Sequence, residues 1–384
     1  MAQTPRKLFE EVGDTPKQTA APGQIDAKNR GARGAIRIWL MVIFALVASM
    51  IVVGGLTRLT DSGLSITEWN PVMGAVPPMN DADWAVEFEK YQAIPEYQLQ
   101  NQGMTLTEFK FIFWWEWGHR QLGRVIGLVW AVGFFGFWAA SKIPTGWTKR
   151  LFLLGVLGGL QGAIGWWMVH SGLNETAQEI GRTDVASYRL ATHLGLAFVI
   201  LGFTAWYVFL LGRPESALMQ ARRDSNRKLF GMSTGLMHFG FLQIVLGALV
   251  AGIDAGRAFP TWPLMGDSFF PPDPFLIEPL WRNFFEDAGL VQFIHRMSGY
   301  LLLIFGFVVW NRGRKSSNGK TRTAFHAVMA MLLIQMVLGI MTALYSAQLH
   351  VAITHQIGAI VMWVLILRAR YLSQYPLPQS IRGN

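Results

Sequence analysis

The chain has 384 residues, 52% of them hydrophobic and 15% charged, with a net charge of +9 and no cysteine. Soluble domains carry about a quarter charged residues, so this composition excludes an ordinary soluble protein. The missing cysteine excludes disulfides, thiolate metal sites and cysteine-held clusters. Apolar runs of about twenty residues recur, the length that crosses about 30 Å of hydrocarbon as helix. Without strict alternation, a membrane β-barrel is excluded too.

Taken in chain order, residues 1–34 are polar and rich in Gly, Pro and basic residues, and are expected to form a disordered cytoplasmic tail. They lack the apolar stretch of a secretory signal, and Glu10, Glu11, Asp14 and Asp26 speak against a mitochondrial transit peptide. A bacterial inner (plasma) membrane is therefore the expected address. Eight spans are predicted, at 35–56, 112–140, 151–170, 186–212, 229–252, 288–311, 323–346 and 349–370. With both termini in the cytoplasm, the inner segments collect 23 of the 33 Lys and Arg, from Arg6 and Lys7 through Lys149, Arg222 and Lys315 to Arg382. The outer loops hold most of the acids, among them Asp61, Glu68, Asp83, Glu96 and Asp267. This is the positive-inside pattern. The basicity thus reports topology and does not point to nucleic acid.

The two halves of the chain repeat each other. His119-Arg120-Gln121-Leu122-Gly123 in span two matches His295-Arg296-Met297-Ser298-Gly299 in span six. Thr192-His193 in span four matches Thr354-His355 in span eight, and Gln161-Gly162 in span three has a counterpart in Gln335 with Gly339 in span seven. Each half has four spans, an even number, so both copies share one orientation, as parallel repeats do. The expected fold is an all-α integral membrane protein with eight transmembrane helices in two pseudo-symmetric four-helix bundles, at 35–212 and 229–372. Residues 213–228 are the expected cytoplasmic linker and 373–384 a cytoplasmic tail. The long outer segment 57–111, with Trp69, Pro77-Pro78 and Trp84, is a lid candidate over the first bundle.

His119, His193, His295 and His355 each lie about seven residues into a span running from outside to inside, about 10 Å below the outer surface. A lone intramembrane histidine more often bonds a neighbouring helix. Four at matched depth in matched repeats point instead to axial ligation of haem iron, His119 pairing with His193 and His295 with His355. Arg120 and Arg296 directly follow two of these ligands and are candidates for haem propionates, with an interfacial, solvated position as the alternative. His170, His238, His326 and His350 lack this matched placement and are read as structural or peripheral.

The halves differ at one telling position. Glu116 precedes His119 by three residues, whereas Gln292 precedes His295 by three. Residues three apart share a helix face, and a carboxylate can act as base or stabilise positive charge where Gln can do neither. The first half is accordingly read as the reactive site.

At these residues the chain resembles the haem A synthase family, in its cysteine-free proteobacterial and mitochondrial branch. The resemblance covers about residues 35–372 and is carried by Gly54-Gly-Leu-Thr-Arg-Leu-Thr-Asp-Ser-Gly-Leu-Ser, Glu68-Trp-Asn-Pro, Glu116-Trp-Gly-His-Arg, Ala258-Phe-Pro-Thr-Trp-Pro-Leu-Met-Gly and Gln292-Phe-Ile-His-Arg. It implies oxidation of a methyl group of haem O to a formyl group, giving haem A for cytochrome oxidase. It also implies a resident haem b cofactor on His295 and His355, haem O substrate on His119 and His193, and Glu116 as the catalytic carboxylate. Implied partners are haem O synthase, the farnesyltransferase that makes the substrate, membrane lipid and an unidentified electron acceptor. The outer-loop cysteine pair of another branch has no counterpart here. Two other classes compete: a bis-histidine haem b, quinol-type electron-transfer cytochrome without substrate chemistry, and a transporter, whose broken midplane helices this chain does not suggest.

Overall fold

In the computed structural model, residues 30–174, 177 and 182–379 are described; the expected tail before residue 30 lies outside them, as does the chain after residue 379. Among the described residues, eight helices are long and apolar enough to cross a membrane. They are α1 (Arg30–Leu59), α2 (Leu106–Ala139), α3 (Thr148–Leu173), α4 (Ser187–Leu211), α5 (Arg227–Gly252), α6 (Ala288–Gly313), α7 (Gly319–Leu344) and α8 (Leu349–Gln374). A helix of 26 residues is about 39 Å long, enough to pass the hydrocarbon with a turn to spare at each side.

Two of the eight start furthest ahead of their predicted spans, each for a local reason. α1 starts at Arg30, inside the segment assigned to the tail. There Arg33 donates to the carbonyls of Leu210 and Arg213, at 3.2 and 2.8 Å, and so meets the electronegative end of α4. α2 starts at Leu106, six residues before the predicted span, because Thr105 and Glu108 close a capping box. That extra length projects on the outer side. The linker 213–228 also carries a short helix, Glu215–Arg223.

Packing follows the repeat. α1, α2, α3 and α4 form one ring, each touching the next, and α5 to α8 form a second. The rings meet through α4 against α5, α8 against α1, and α4 against α8. Exchanging the halves converts the first contact into the second and leaves the third unchanged. α4 is the most deeply placed span, with 56% of its apolar window buried, against 6% for α2, whose Phe111, Leu128, Val132 and Trp138 face outward.

The seam between the rings is an apolar core of Ile36, Leu40, Ile43, Val47, Phe198, Leu201, Ile360, Trp363 and Leu367. Side chains of α8 pin it with directional bonds. Trp363 Nε1 donates to Phe198 O at 3.1 Å, and Gln356 Nε2 donates to Ile51 O at 2.6 Å. In the last turn of α1, Arg58 bridges the halves through Asp61 and Asp254, both at 2.9 Å, and Asp184 at 3.4 Å. Asp61 and Asp254 occupy matched positions and both take left-handed backbone, at φ 48° and 51°.

The lid candidate is an ordered layer. Its helices Asp81–Gln92 and Pro95–Leu99, with Ile94 between them, pack Trp84, Tyr91 and Ile94 onto Phe109, Ile112 and Phe113 near the start of α2. Beneath them Glu96 is 4% exposed. It accepts from Tyr91 Oη at 3.0 Å and from Asn101 Nδ2 at 3.3 Å. Burial pushes its carboxyl up to about 8 against the opposing Tyr91 hydrogen bond, with Asp184, Asp61 and Glu116 adding to the rise.

Candidate active site

The four histidines stand on α2, α4, α6 and α8, the even-numbered helices. His119 precedes the C-terminal end of its helix by 20 residues, His193 by 18, His295 by 18 and His355 by 19. Each of the four side chains is half-buried. His119 and His193 stand on opposite helices of the first ring, and His295 and His355 on opposite helices of the second. The two members of each expected pair thus share one ring of helices.

A glycine on the neighbouring helix admits each ring. An added Cβ would stand 3.2 Å from His119 Nε2 at Gly54 and 2.8 Å from His193 Cε1 at Gly165. At Gly247 it would stand 3.0 Å from His295 Cε1, and at Gly339 3.3 Å from His355 Cε1. Four residues before three of these glycines stands a glutamine. Gln161, Gln243 and Gln335 donate Nε2 to the backbone carbonyls of His193, His295 and His355 at 3.0, 3.0 and 3.1 Å. Sequence reading caught Gln161 and Gln335 as repeat markers but missed Gln243 and the hydrogen bonds; the recurring Gln-x-x-x-Gly spacing was the available signal.

Glu116 is 2% exposed, its carboxylate turned onto the loop that follows α1. Its Oε2 accepts from Ser65 Oγ at 2.8 Å and Ile66 N at 2.7 Å. Oε1 accepts from Arg120 Nε and Nη2, at 3.0 and 2.5 Å. Arg120 also donates to the carbonyls of Ile66 at 2.7 Å and Glu68 at 2.9 Å. Arg296 is placed alike, donating to Phe259 O at 2.8 Å and Leu264 O at 3.2 Å. Each arginine therefore fastens an outer loop to a ligand helix. Gln292, at the position of Glu116, makes only long contacts of 3.5 and 3.4 Å to Gly256 O and Phe259 O. The charge at this position, more than its place, separates the halves.

Buried polar atoms without a protein partner gather around the second pair: His355 Nδ1, Arg296 Nε, Ser298 Oγ and the Oε1 atoms of Gln292, Gln243 and Gln335. Native interiors leave few such atoms. Imidazoles on opposite helices of one ring, glycine-lined walls and an Arg296 Nε without a protein partner fit a haem with its propionates. Of the other histidines, His238 bonds Thr234 O within its own helix and His326 accepts from Trp310 Nε1.

A family model described as cytochrome oxidase assembly protein matches residues 37–367. A protein of Ruegeria sp. (strain TM1040) named "Heme A synthase" is 66% identical over 99% of both chains. Proteins of the same name from Ruegeria pomeroyi and Paracoccus denitrificans are 63% identical over 98% of this chain and 99% of the relative, and 58% identical over 99% of both. With matched histidine pairs in an eight-helix membrane fold, and relatives aligned from end to end, the chain belongs to the COX15-CtaA family of cytochrome oxidase assembly proteins.

Proposed function

We propose that this chain oxidises a methyl group of haem O to a formyl group, giving haem A, as the name of its relatives implies. The observation that carries the reading is a buried carboxylate, Glu116, one turn from a ligand histidine in the first half only. Haem O is assigned to His119 and His193, and a resident haem b to His295 and His355, with Arg120 and Arg296 at the propionate edges. When bound, haem b supplies a one-electron carrier for the electrons leaving two successive oxidations at the methyl carbon. Glu116 is the carboxylate that stabilises positive charge or takes a proton there, and Ser65, Ile66 and Arg120 hold its two oxygens still. Haem O synthase supplies the substrate, and an electron acceptor in the same membrane completes the circuit. The setting that agrees with the charge pattern is a bacterial inner membrane with both termini cytoplasmic. A bis-histidine cytochrome without substrate chemistry gains no support from the relatives' names.

The test is Glu116→Gln in the full-length protein. Haem absorbance is expected to stay intact while formyl product falls by about 100-fold or more, the scale of lost acid–base assistance. Undiminished product would end the assignment of Glu116.

A further inference from the structure

The three glutamines leave one ligand out. Among the described residues, no carboxamide reaches His119. Its ring lies against Gly54, as that of His295 lies against Gly247. Four residues before Gly247 stands Gln243; four before Gly54 stands Met50. The two side chains fill the same space. An added Cβ at Gly123 would meet Met50 Cε at 3.3 Å, and one at Gly299 would meet Gln243 Nε2 at 3.3 Å. Gly123 and Gly299 each follow their ligand histidine by four residues. The repeat therefore keeps the position and changes its chemistry, from an amide that donates to the ligand's own carbonyl to a thioether that cannot donate.

We infer that this Met50/Gln243 difference makes His119 the releasable ligand, so that the first site exchanges its haem while the second keeps its own. The inference rests on the proposed assignment of haem O to the first pair and haem b to the second. Gln243 locks α5 to α6 at the level of the iron ligand and stands 3.1 Å from His295 Nδ1. Met50 offers only van der Waals contact, on a side chain with three rotatable bonds that repacks easily. His193, braced by Gln161, stays fixed. Opening thus begins on the α1–α2 side. The chemistry calls for this asymmetry, since a substrate haem must leave after every turnover and an electron carrier must not. Met50 and Gln243 are positioning residues; neither need touch a reacting atom.

The experiment measures haem loss from purified full-length protein into excess apomyoglobin, identifying the remaining haem by mass. Outer-sphere partners of metal ligands are worth roughly 10- to 100-fold in affinity, so Gln243→Met should speed loss of haem b by about tenfold or more, and Met50→Gln should slow loss of haem O or haem A by a comparable factor. Met50→Leu, equally bulky but without an amide, should leave release unchanged. If Gln243→Met fails to fold, Met50→Gln decides alone, since the matched site shows that glutamine fits. Unchanged release in Met50→Gln, or slowing equally produced by Met50→Leu, overturns the inference. The underlying assignment is read separately. His119→Ala should remove haem O and His295→Ala haem b; the reverse result defeats that assignment whatever the amide variants do.

Discussion

Glycine at four positions sets how near an imidazole can lie to the neighbouring helix, and the clearances differ. The contact at Gly165 is tightest, with an added Cβ 2.8 Å from His193 Cε1, against 3.3 Å from His355 Cε1 at Gly339. Overpacking of this kind costs about 1–3 kcal/mol when the surroundings cannot yield. His193 cannot yield freely, because Gln161, one turn from Gly165 on the same helix, holds its carbonyl. Gly165→Ala is therefore expected to tilt the ring and deplete the haem of the first site, while Gly339→Ala leaves the second near full occupancy. Haem content per polypeptide, sorted by mass, checks the contrast. Equal depletion in both variants would show that the clearances do not control the rings.

Among the elements, the outer layer over α2 has the most to fear from alkaline pH. Glu96 is buried with Tyr91 and Asn101, and its carboxyl is raised to about 8 from an ordinary value near 4.5. A carboxyl raised on folding binds its proton more tightly in the native layer than in the opened one. Its stabilising share is thus complete below about 4.5 and lost as pH climbs through about 8. Hydrogen exchange or limited proteolysis of residues 81–104 should show the layer opening more readily between those limits. Glu96→Gln, neutral throughout, should flatten the dependence; an unchanged pH profile in that variant would assign it to another group.

For the molecule as a whole, hydropathy made the eight spans legible, and the repeated His-Arg pairs and the Glu116/Gln292 contrast gave the outline of the site. Periodicity could not show what crosses between helices. Ser65 and Ile66 reach Glu116 from fifty residues away, and Arg58 gathers carboxylates from three separate loops. Gln243 sits inside an apolar run where one amide barely alters mean hydropathy, so its bond to His295 appears only once α5 and α6 are side by side. The outer extension of α2 was invisible to an apolar count because residues 106–111 include Glu108 and Lys110, although its capping box was written in Thr105 and Glu108.

The matched placement of the four ligands has a bioenergetic consequence. Measured from the C-terminal helix ends they differ by at most two residues, about 3 Å along the axis and roughly a tenth of the hydrocarbon thickness. With a haem iron on each pair, as proposed, an electron hopping between them would travel sideways, along an equipotential of the bilayer. A full crossing is worth about 2.3 kcal/mol per 100 mV, so this hop should feel about a tenth of that. In sealed vesicles, the rate of electron exchange between the sites is expected to be indifferent to a diffusion potential imposed with valinomycin and potassium; a steep voltage dependence would place the irons at unequal heights.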